Sequence, residues 1–583
     1  MRFLSDAGAG TRGTARPSVA PALPGFHLED TVTMSHPVIA IGLDSAERTL
    51  VDKWLAEGRL PTLAKLRAEG MHAKLENFAV YSAELPWTTF LTGCAPQKTG
   101  YWTPIKYDPK TYTTTQTGAY SFDEVRPFYA LGQDYRIAVF DMPHATLSDK
   151  VNGIQALAWG AHSPQSPTGS LPRGLMEELV AKYGEHPAFE KDNFEPWESH
   201  REQWLIDSMV TGIRRRADIC CDLLKRDRWD LFLTMFGEPH SAGHALWHLS
   251  QPDHPLYRAP TPDRPDPLLL IQEEIDRAMA RIIEAAPEGA RVVVFSAHGM
   301  EANSMDVPSM FFLPELLYRM SFGKAAFAKG EPGGPLPDPR TLVRRRHWAS
   351  EIYARKEDWN PLRRLVRGKV RFDYSWQLER LIGSGEGPAH PNKAGGITFM
   401  PASWYANCWP RMKAFALPTF ADGYVRINLK GREANGIVDP ADYDRVCDEI
   451  TAEIMAMTNP RNGRKVAKNV VRTRTRALDD DPCLPDADLV VEWESQPADV
   501  VEGPGIGRIG PVPYRRTGSH TSDGFVVAAG PGIGQGELPN GHGVDLAPTI
   551  LQLMGAPAPN HLDGVSLFNR ARDAAPNVRA FAE

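Results

Sequence analysis

The sequence has 583 residues, of which 42% are hydrophobic and 23% charged, and its net charge is −7. This composition is typical of a globular protein, and the length allows roughly two to four domain-sized units. The negative charge argues against nucleic acid as a partner, because proteins that bind nucleic acids concentrate positive charge. The six cysteines include no CxxC pair, so they indicate neither a disulfide framework nor a zinc knuckle and favour a reducing compartment.

The N-terminal segment 1–36 is rich in Gly, Ala, Pro, Ser and Thr and is predicted to be a disordered tail. It lacks the apolar segment of a secretory signal, and no apolar run in the chain approaches the ~20 residues that cross a bilayer. Met34 directly precedes the first predicted strand, so translation could start at Met1 or at Met34. We therefore predict a cytoplasmic protein with no membrane contact.

From residue 37 onward, predicted strands alternate with predicted helices. The strands are short apolar runs that end in polar residues, and amphipathic segments follow them. In chain order the predicted elements are strand 37–46, helix 48–70, a strand end passing into a helix at 81–96, strand 135–143, helix 202–225, strand 229–240, helix 268–285 and a strand within 292–300. This alternation predicts an α/β fold with a doubly wound, mainly parallel sheet.

The character of the sequence changes between residues 311 and 410. A Gly/Pro-rich loop and abundant Arg, Trp and Tyr predict an insertion or cap in this region, and the sheet pattern returns at 422–432, 486–494 and 523–533. The predicted organisation is an N-terminal tail at 1–36, a core at 37–310 and 411–570, an inserted cap at 311–410 and a C-terminal tail at 571–583.

Residues able to bind a metal ion lie at the ends of several predicted strands. Ligands and substrates of open α/β sheets bind beyond the carboxyl ends of the strands. His240 and His244 are four residues apart, which places both imidazoles on one face of a helix. Each histidine alone is explained by core or loop hydrogen bonding, but together the set predicts a metal site. Its members are Asp44, His240, His244, His298 and His520. His248, one turn further on, is interpreted as an ordinary packed residue.

Several motifs, in order, resemble the alkaline phosphatase superfamily, and in particular its type I phosphodiesterase/nucleotide pyrophosphatase branch. The resemblance covers about 37–310 and 411–570. It is carried by the segments GLD ending at Asp44, PWTTFLTGCAPQKTGYW, EPHSAGH, SAHGM, GSHTSDG and the closing HGVDLAPTILQLMGAPAPNHLDGVSL. The resemblance implies an alkaline-phosphatase-like core, interrupted by the cap predicted at 311–410. It also implies two metal ions that clamp a phosphoryl group, and a Ser or Thr that is transiently phosphorylated.

Carried over to this sequence, one metal ion would be held by His240, His244 and His520. The other would be held by Asp44, His298 and the nucleophile. Two departures change this arrangement: His240 stands where the family has an aspartate, and Ala297 stands where it has the second-site aspartate. Three imidazoles still suit zinc, but the second site is expected to bind metal weakly or not at all.

The expected nucleophile is one residue out of register. Counting back from the Thr-Gly turn, the family position falls on Ala83, and a one-residue bulge would bring Ser82 into place. We therefore predict Ser82 as the attacking residue, with Thr88 or a metal-bound water as the alternatives. Glu84 could supply a missing carboxylate, but it is interpreted as an exposed acid at a helix start.

Taken together, these features predict a metal-dependent hydrolase of phosphodiester or pyrophosphate bonds that acts on a small anionic, phosphorylated substrate. One or two Zn²⁺ ions are expected, with Mn²⁺ as an alternative at the weaker site. Two other interpretations stay open: a mononuclear-zinc member acting on another anionic metabolite, and a non-catalytic binding protein with the same fold. The segment SAELP lacks the C/S-x-P-x-R pattern of sulfatases, which argues against that activity. No oligomeric state is predicted.

Overall fold

The computed structural model describes residues 36–573, apart from Ser82, the segments 117–119, 161–166, 193–194 and 345–346, and most of 358–398. Almost all of the two predicted tails, and part of the predicted cap, lie outside the described residues.

The strands are numbered in chain order from the N-terminus. They are β1 (Val38–Leu43), β2 (Met71–Glu76), β3 (Ile105–Asp108), β4 (Thr113–Gln116), β5 (Gly132–Phe140), β6 (Val151–Leu157), β7 (Gly169–Leu171), β8 (Leu231–Phe236), β9 (Arg291–Ser296), β10 (Gly299–Ala302), β11 (Lys329–Gly330), β12 (Ala414–Leu417), β13 (Gly423–Ile427), β14 (Ala467–Arg472), β15 (Leu489–Trp493), β16 (Val501–Gly503), β17 (Gly507–Ile509), β18 (Gly518–Thr521), β19 (Asp523–Ala529), β20 (Gly536–Glu537) and β21 (Gly541–His542).

The α-helices are numbered in the same way. They are α1 (Arg48–Ala56), α2 (Pro61–Glu69), α3 (Pro86–Thr92), α4 (Pro96–Thr99), α5 (Leu175–Tyr183), α6 (Glu202–Leu224), α7 (Glu238–Leu246), α8 (Pro267–Glu284), α9 (Leu313–Phe322), α10 (Trp348–Tyr353), α11 (Tyr443–Ala456), α12 (Leu546–Met554) and α13 (Leu567–Asp573). A π-helical turn spans Pro308–Phe312, and short 3-10 helices span Ser199–Arg201, Trp247–Leu249, Pro339–Thr341, Pro401–Tyr405, Trp409–Arg411, Pro440–Asp442 and Gly543–Asp545.

Among the described residues, the largest sheet has ten strands, in the order β20-β2-β19-β9-β1-β8-β5-β6-β7 with β21 beside β2. The pairs β9–β1, β1–β8, β8–β5 and β5–β6 are all parallel. Strand β19 is antiparallel to both β9 and β2, and β7 is antiparallel to β6. The predicted α/β fold with a mainly parallel sheet is therefore confirmed.

Both faces of this sheet are covered, as the apolar runs in its central strands predict. Along β1, Val38 and Ala40 join the core on one face, whereas Ile39 and Ile41 join the core on the other. Helices α3 and α12 contribute to the first core, and helices α1, α2, α6, α7 and α8 contribute to the second. The central strands therefore lie between two layers of helices.

The segments 422–432 and 486–494 do not join the main sheet. Strands β12, β13, β15 and β14 form a separate four-stranded antiparallel sheet, which packs against α9 and α11. Of the later predicted strands, only β19 lies in the main sheet. Strand β18, just before it, pairs with β10 and brings the last part of the chain to the carboxyl edge of β9.

None of the described helices combines the length and the apolar character that a membrane crossing requires.

Candidate metal centre

The predicted metal-binding residues converge at the carboxyl ends of three adjacent parallel strands. Asp44 follows β1 directly, His240 and His244 lie on α7 after β8, and His298 follows β9. These strands are neighbours in the order β9-β1-β8, so their ends meet at one edge of the sheet. His520 arrives on β18, where it is the register partner of a residue in β10 just after His298. All five side chains are buried.

Three of the imidazoles form a compact group. The ring centroid of His240 lies 4.5 Å from that of His244 and 4.7 Å from that of His520, and the last two are 4.7 Å apart. Their candidate ligand atoms lie within 4.8 Å of one another. Burial is the main cause that holds the pKa of both His244 and His520 well below the usual value, so both rings are neutral. Neutral imidazole is the form that binds zinc.

The tautomer of His244 follows from its two neighbours. Its Nδ1 lies 2.7 Å from the carbonyl oxygen of Gly518, which can only accept, so Nδ1 carries the proton. Its Nε2 lies 3.0 Å from Nη1 of Arg516, which can only donate, so Nε2 holds the lone pair. Metal-binding histidines commonly donate their other ring N–H to a backbone carbonyl in this way. His244 is therefore oriented to bind a metal ion through Nε2.

The close approach of α7 to β18 depends on Gly518. A Cβ atom on Gly518 would lie 2.3 Å from the carbonyl oxygen of Gly243, which is backbone and cannot move aside cheaply. The absence of a side chain on Gly518 lets the helix that carries His244 contact the strand that carries His520. A Cβ atom on Gly243 would lie 2.8 Å from the side chain of Met300 in β10, the partner strand of β18.

Asp44 contacts the histidines from the β1 side. Its Oδ2 lies 3.2 Å from Nδ1 of His240 and its Oδ1 lies 3.1 Å from Nε2 of His298. The indole N–H of Trp87, on α3, donates to Oδ1 at 3.1 Å. Burial raises the pKa of Asp44, but the charges and hydrogen bonds of His240 and His298 outweigh it and hold the pKa well below its usual range. The carboxylate is therefore ionised within the cluster.

Ser45 is a member of the cluster that the sequence reasoning missed. Its Oγ lies 3.3, 3.4 and 3.2 Å from the Nδ1 atoms of His240, His298 and His520, and it donates to Asp44 at 3.3 Å. Its φ is +59°, a left-handed conformation that non-glycine residues rarely adopt. Its position directly after the strand-end aspartate was the one sequence signal available for this residue.

Arg516 was also missed. It lies four residues before His520, in the segment YRRTGSH, and its sequence context alone resembles a surface basic pair. Its guanidinium reaches His244 because β18, which begins two residues after Arg516, packs against α7.

Ala297 cannot bind a metal ion through its side chain, because a methyl group has no donor atom. It is fully buried, and its carbonyl oxygen accepts a hydrogen bond from the side-chain amide of Asn77. In the described part of the chain, three residues are close enough together to hold one metal ion. They are His240, His244 and His520. That donor set fits a zinc-type ion with an open fourth position. Among the described residues, Asp44 and His298 do not complete a second such group.

The predicted nucleophile, Ser82, lies outside the described residues. Of its neighbours, Tyr81 has a φ of +62°, and its backbone N–H donates to Asp422 at 2.6 Å. Thr88, the alternative, is buried in α3, and its carbonyl accepts from the hydroxyl of Thr92 at 2.7 Å. Helix α3 contacts the cluster through the hydrogen bond from Trp87 to Asp44.

The interpretation of Glu84 as an exposed acid is wrong. Its side chain is buried, and Tyr424 of the second sheet donates a 2.7 Å hydrogen bond to its Oε2. Burial raises the pKa of Glu84 to about 7. The error arose because Tyr424 is distant in sequence, so the residue that covers Glu84 could not be read from its local context.

His248 is buried and packed, as the sequence analysis predicted. It lies in the 3-10 turn after α7, and its Nδ1 is 3.2 Å from the hydroxyl of Thr517. Burial lowers its pKa to about 3. It lies outside the group formed by His240, His244 and His520.

One family of known proteins matches this chain by its sequence profile. The sequence profile of the type I phosphodiesterase / nucleotide pyrophosphatase family matches residues 38–365, more than half of the chain. Two structures of phosphonoacetate hydrolase from Sinorhizobium meliloti 1021, in complex with phosphonoformate and phosphonoacetate, align at 14% identity with TM-scores of 0.47 and 0.42. Each alignment covers 90% of this chain and 96% of the other. No curated protein sequence gives a significant match.

The profile match includes Asp44, His240, His244 and His298, and it supports a hydrolase that acts on phosphoryl groups. The chain belongs to the type I phosphodiesterase/nucleotide pyrophosphatase family.

Proposed function

We propose that the protein is a metal-dependent hydrolase of phosphodiester or pyrophosphate bonds whose principal metal site is formed by His240, His244 and His520. The observation that carries this proposal is the convergence of three imidazoles whose ligand atoms lie within 4.8 Å of one another. The fixed tautomer of His244, with its lone pair at Nε2, supports the same assignment. We assign zinc as the metal, because an all-imidazole donor set suits it, and Mn²⁺ as the alternative at a weaker second site.

His240, His244 and His520 would hold a zinc ion, which would supply Lewis-acid stabilisation of charge developing on phosphoryl oxygens. In the proposed reaction the hydroxyl oxygen of Ser82 would lose its proton to solvent as it bonds to phosphorus. The bond between phosphorus and the leaving-group oxygen would break, giving a serine phosphoester and the free leaving group. Water then cleaves the phosphoester and regenerates the serine. Asp44, an ionised carboxylate contacted by His240, His298 and Trp87, would balance part of the positive charge of a bound metal ion, beside which a small anionic, phosphorylated substrate would bind.

The mononuclear form of this function is favoured over the dinuclear form by two observations. Ala297 offers no carboxylate at the second site. The Oγ of Ser45 lies within 3.4 Å of Asp44 and of the Nδ1 atoms of three histidines, so it takes up the space between them. Asp44 and His298, the residues that would hold a second ion, are therefore both in contact with Ser45.

Metal content and turnover, measured on the same sample, test the proposal. We expect about one equivalent of zinc per chain, and hydrolysis of a bis-aryl phosphodiester that is lost on chelation and restored by zinc. Zinc binding without turnover of phosphodiesters or pyrophosphates would favour a different anionic substrate. A protein that binds no metal and hydrolyses nothing would be a binding protein with this fold, contrary to the proposal.

A further inference from the structure

Arg516 is held rigidly at the edge of the histidine cluster. Its Nε and Nη2 each donate a 2.7 Å hydrogen bond to the carboxylate of Asp306, whose side chain is 1% exposed. Its guanidinium carbon lies 4.9 Å from the ring centroid of Phe420. A bidentate pair combined with an aromatic contact fixes the plane of the guanidinium. Only one nitrogen, Nη1, remains outside the pair with Asp306.

That remaining nitrogen is directed at the metal centre. Nη1 of Arg516 lies 3.0 Å from Nε2 of His244, the ring nitrogen that holds the lone pair. A metal ion bound by His244 would take the same lone pair, so Nη1 and the ion compete for one acceptor. Once the ion has bound, Nη1 has lost its acceptor and lies beside a second positive charge. An anion that contacts both would relieve the repulsion between them.

The donor set of the centre makes this arrangement unusual. Histidine occupies position 240 and alanine occupies position 297, where the family has aspartates, so the centre has fewer negative charges than the resemblance implies. Arg516 adds a fixed positive charge at the same edge of the sheet. Asp306 balances the charge of Arg516, so a bound Zn²⁺ ion would face one uncompensated carboxylate, that of Asp44. The resulting excess of positive charge favours an anionic ligand with at least two oxygens, one for the metal and one for the guanidinium.

We propose that Arg516 is an anion-binding residue of this centre, whose Nη1 donates a hydrogen bond to a phosphoryl oxygen of the substrate. This inference rests on the proposed function. It assigns the ligand class as a phosphoryl dianion or diester that bridges the metal ion and the guanidinium. Asp306 and Phe420 are positioning residues, since they hold the guanidinium and leave Nη1 directed into the centre.

The proposal predicts opposite effects on metal and phosphate binding when Arg516 is replaced by Gln. Zinc should bind the metal-free variant at least severalfold more tightly than wild type, because a competing donor and a positive charge have been removed. Inorganic phosphate should bind the zinc-loaded variant roughly ten- to a hundredfold more weakly, because a charge-assisted hydrogen bond has been lost. A purely structural role would weaken both.

Arg461 provides a matched control. It too is held by a bidentate pair, with Nε and Nη2 at 2.6 and 2.7 Å from the buried carboxylate of Asp499, and its remaining bond goes to the carbonyl of Pro337. Replacing Arg461 by Gln removes the same kind of buried ion pair without touching His244. We expect this variant to lose a similar amount of stability while its affinities for zinc and phosphate stay at the wild-type values.

The experiment is calorimetric titration of Zn²⁺ into metal-free protein and of inorganic phosphate into zinc-loaded protein, for wild type, Arg516→Gln and Arg461→Gln. Equal phosphate affinity in wild type and Arg516→Gln would overturn the inference, as would a parallel loss of zinc and phosphate binding. If wild type binds no zinc, the proposed function fails separately. Phosphate titrated into the metal-free protein then decides: binding that depends on Arg516 supports the inference, and any other result overturns it.

Discussion

The hydroxyl of Tyr424 donates a 2.7 Å hydrogen bond to the carboxylate of Glu84, and both side chains are buried. The contact joins the segment before α3 to the second, antiparallel sheet. Burial is the main reason that the pKa of Glu84 rises to about 7. The charge of Asp422 raises it further, whereas the hydrogen bond from Tyr424 lowers it. The folded protein therefore holds a proton on Glu84 more tightly than the unfolded chain does.

This contact predicts a pH-dependent stability. Between the unfolded value of 4.5 and the folded value of about 7, the folded state binds more protons than the unfolded state, so stability falls as pH rises through this window. The loss is on the order of 3 kcal/mol. Glu84→Gln, which keeps an acceptor for Tyr424, should remove most of this pH-dependent loss of stability. Urea unfolding of the metal-free protein at pH 5 and pH 7.5 measures the difference.

A surface variant, Glu288→Gln, serves as the control for this measurement, because Glu288 is exposed. It should lose as much stability between the two pH values as wild type does. The assignment would be contradicted if Glu84→Gln showed the same pH dependence as wild type.

His244→Ala should remove most of the bound zinc. His244 is one of three imidazoles in the proposed site, and a site with two remaining imidazoles binds zinc much more weakly. Metal analysis of dialysed, folded protein measures the change. His248→Ala, which alters another buried histidine four residues further on, should cost stability but keep the metal. Full zinc occupancy in His244→Ala would show that the site is elsewhere.

Ala297→Asp should raise the metal content towards two ions per chain. An aspartate at this position would add an oxygen ligand and a negative charge beside Asp44 and His298. The charge would also be buried, so the metal-free variant should unfold more readily than wild type. Ala297→Asn, similar in size but uncharged, is the control and should leave the metal count unchanged. A count of one ion in Ala297→Asp would argue that Ser45 blocks the second site.

Ser45→Gly should be more stable than Ser45→Ala. Both variants lose the contacts of Oγ, but only alanine retains a Cβ at a φ of +59°. The left-handed conformation costs a non-glycine residue about 1–2 kcal/mol, so this difference should separate the two variants. Thermal unfolding of the metal-free proteins measures it. Equal melting temperatures would mean that the backbone at position 45 relaxes when Oγ is removed.

Ser82→Ala separates a nucleophile from a helix cap. Loss of the attacking oxygen should reduce hydrolysis of a bis-aryl phosphodiester by orders of magnitude while zinc content and melting temperature stay near the wild-type values. Loss of a cap would instead cost about 1 kcal/mol of stability and leave turnover largely intact. Thr88→Val, measured in parallel, examines the alternative residue. Near-normal hydrolysis by Ser82→Ala would transfer the role to Thr88 or to a water molecule.

Much of the fold and part of the centre could be predicted from local sequence patterns. The apolar runs that end in Asp44 and His298, and the four-residue spacing of His240 and His244, depend on strand and helix periodicity alone. Parallel strands then bring their carboxyl ends to one edge, which is why residues far apart in sequence were expected to meet. The mainly parallel sheet and the grouping of the histidines followed from these short-range rules.

The rest was decided by contacts between segments that are far apart in the chain. Glu84 is buried because Tyr424, 340 residues away, covers it. Arg516 reaches His244 because β18 is drawn against α7, and the strands near 425 and 490 pair with each other rather than with the main sheet. Burial, and the electrostatic environment that follows from it, depend on which surfaces pack together. Local periodicity does not specify that packing, so the charges surrounding the metal centre emerged only with the tertiary structure.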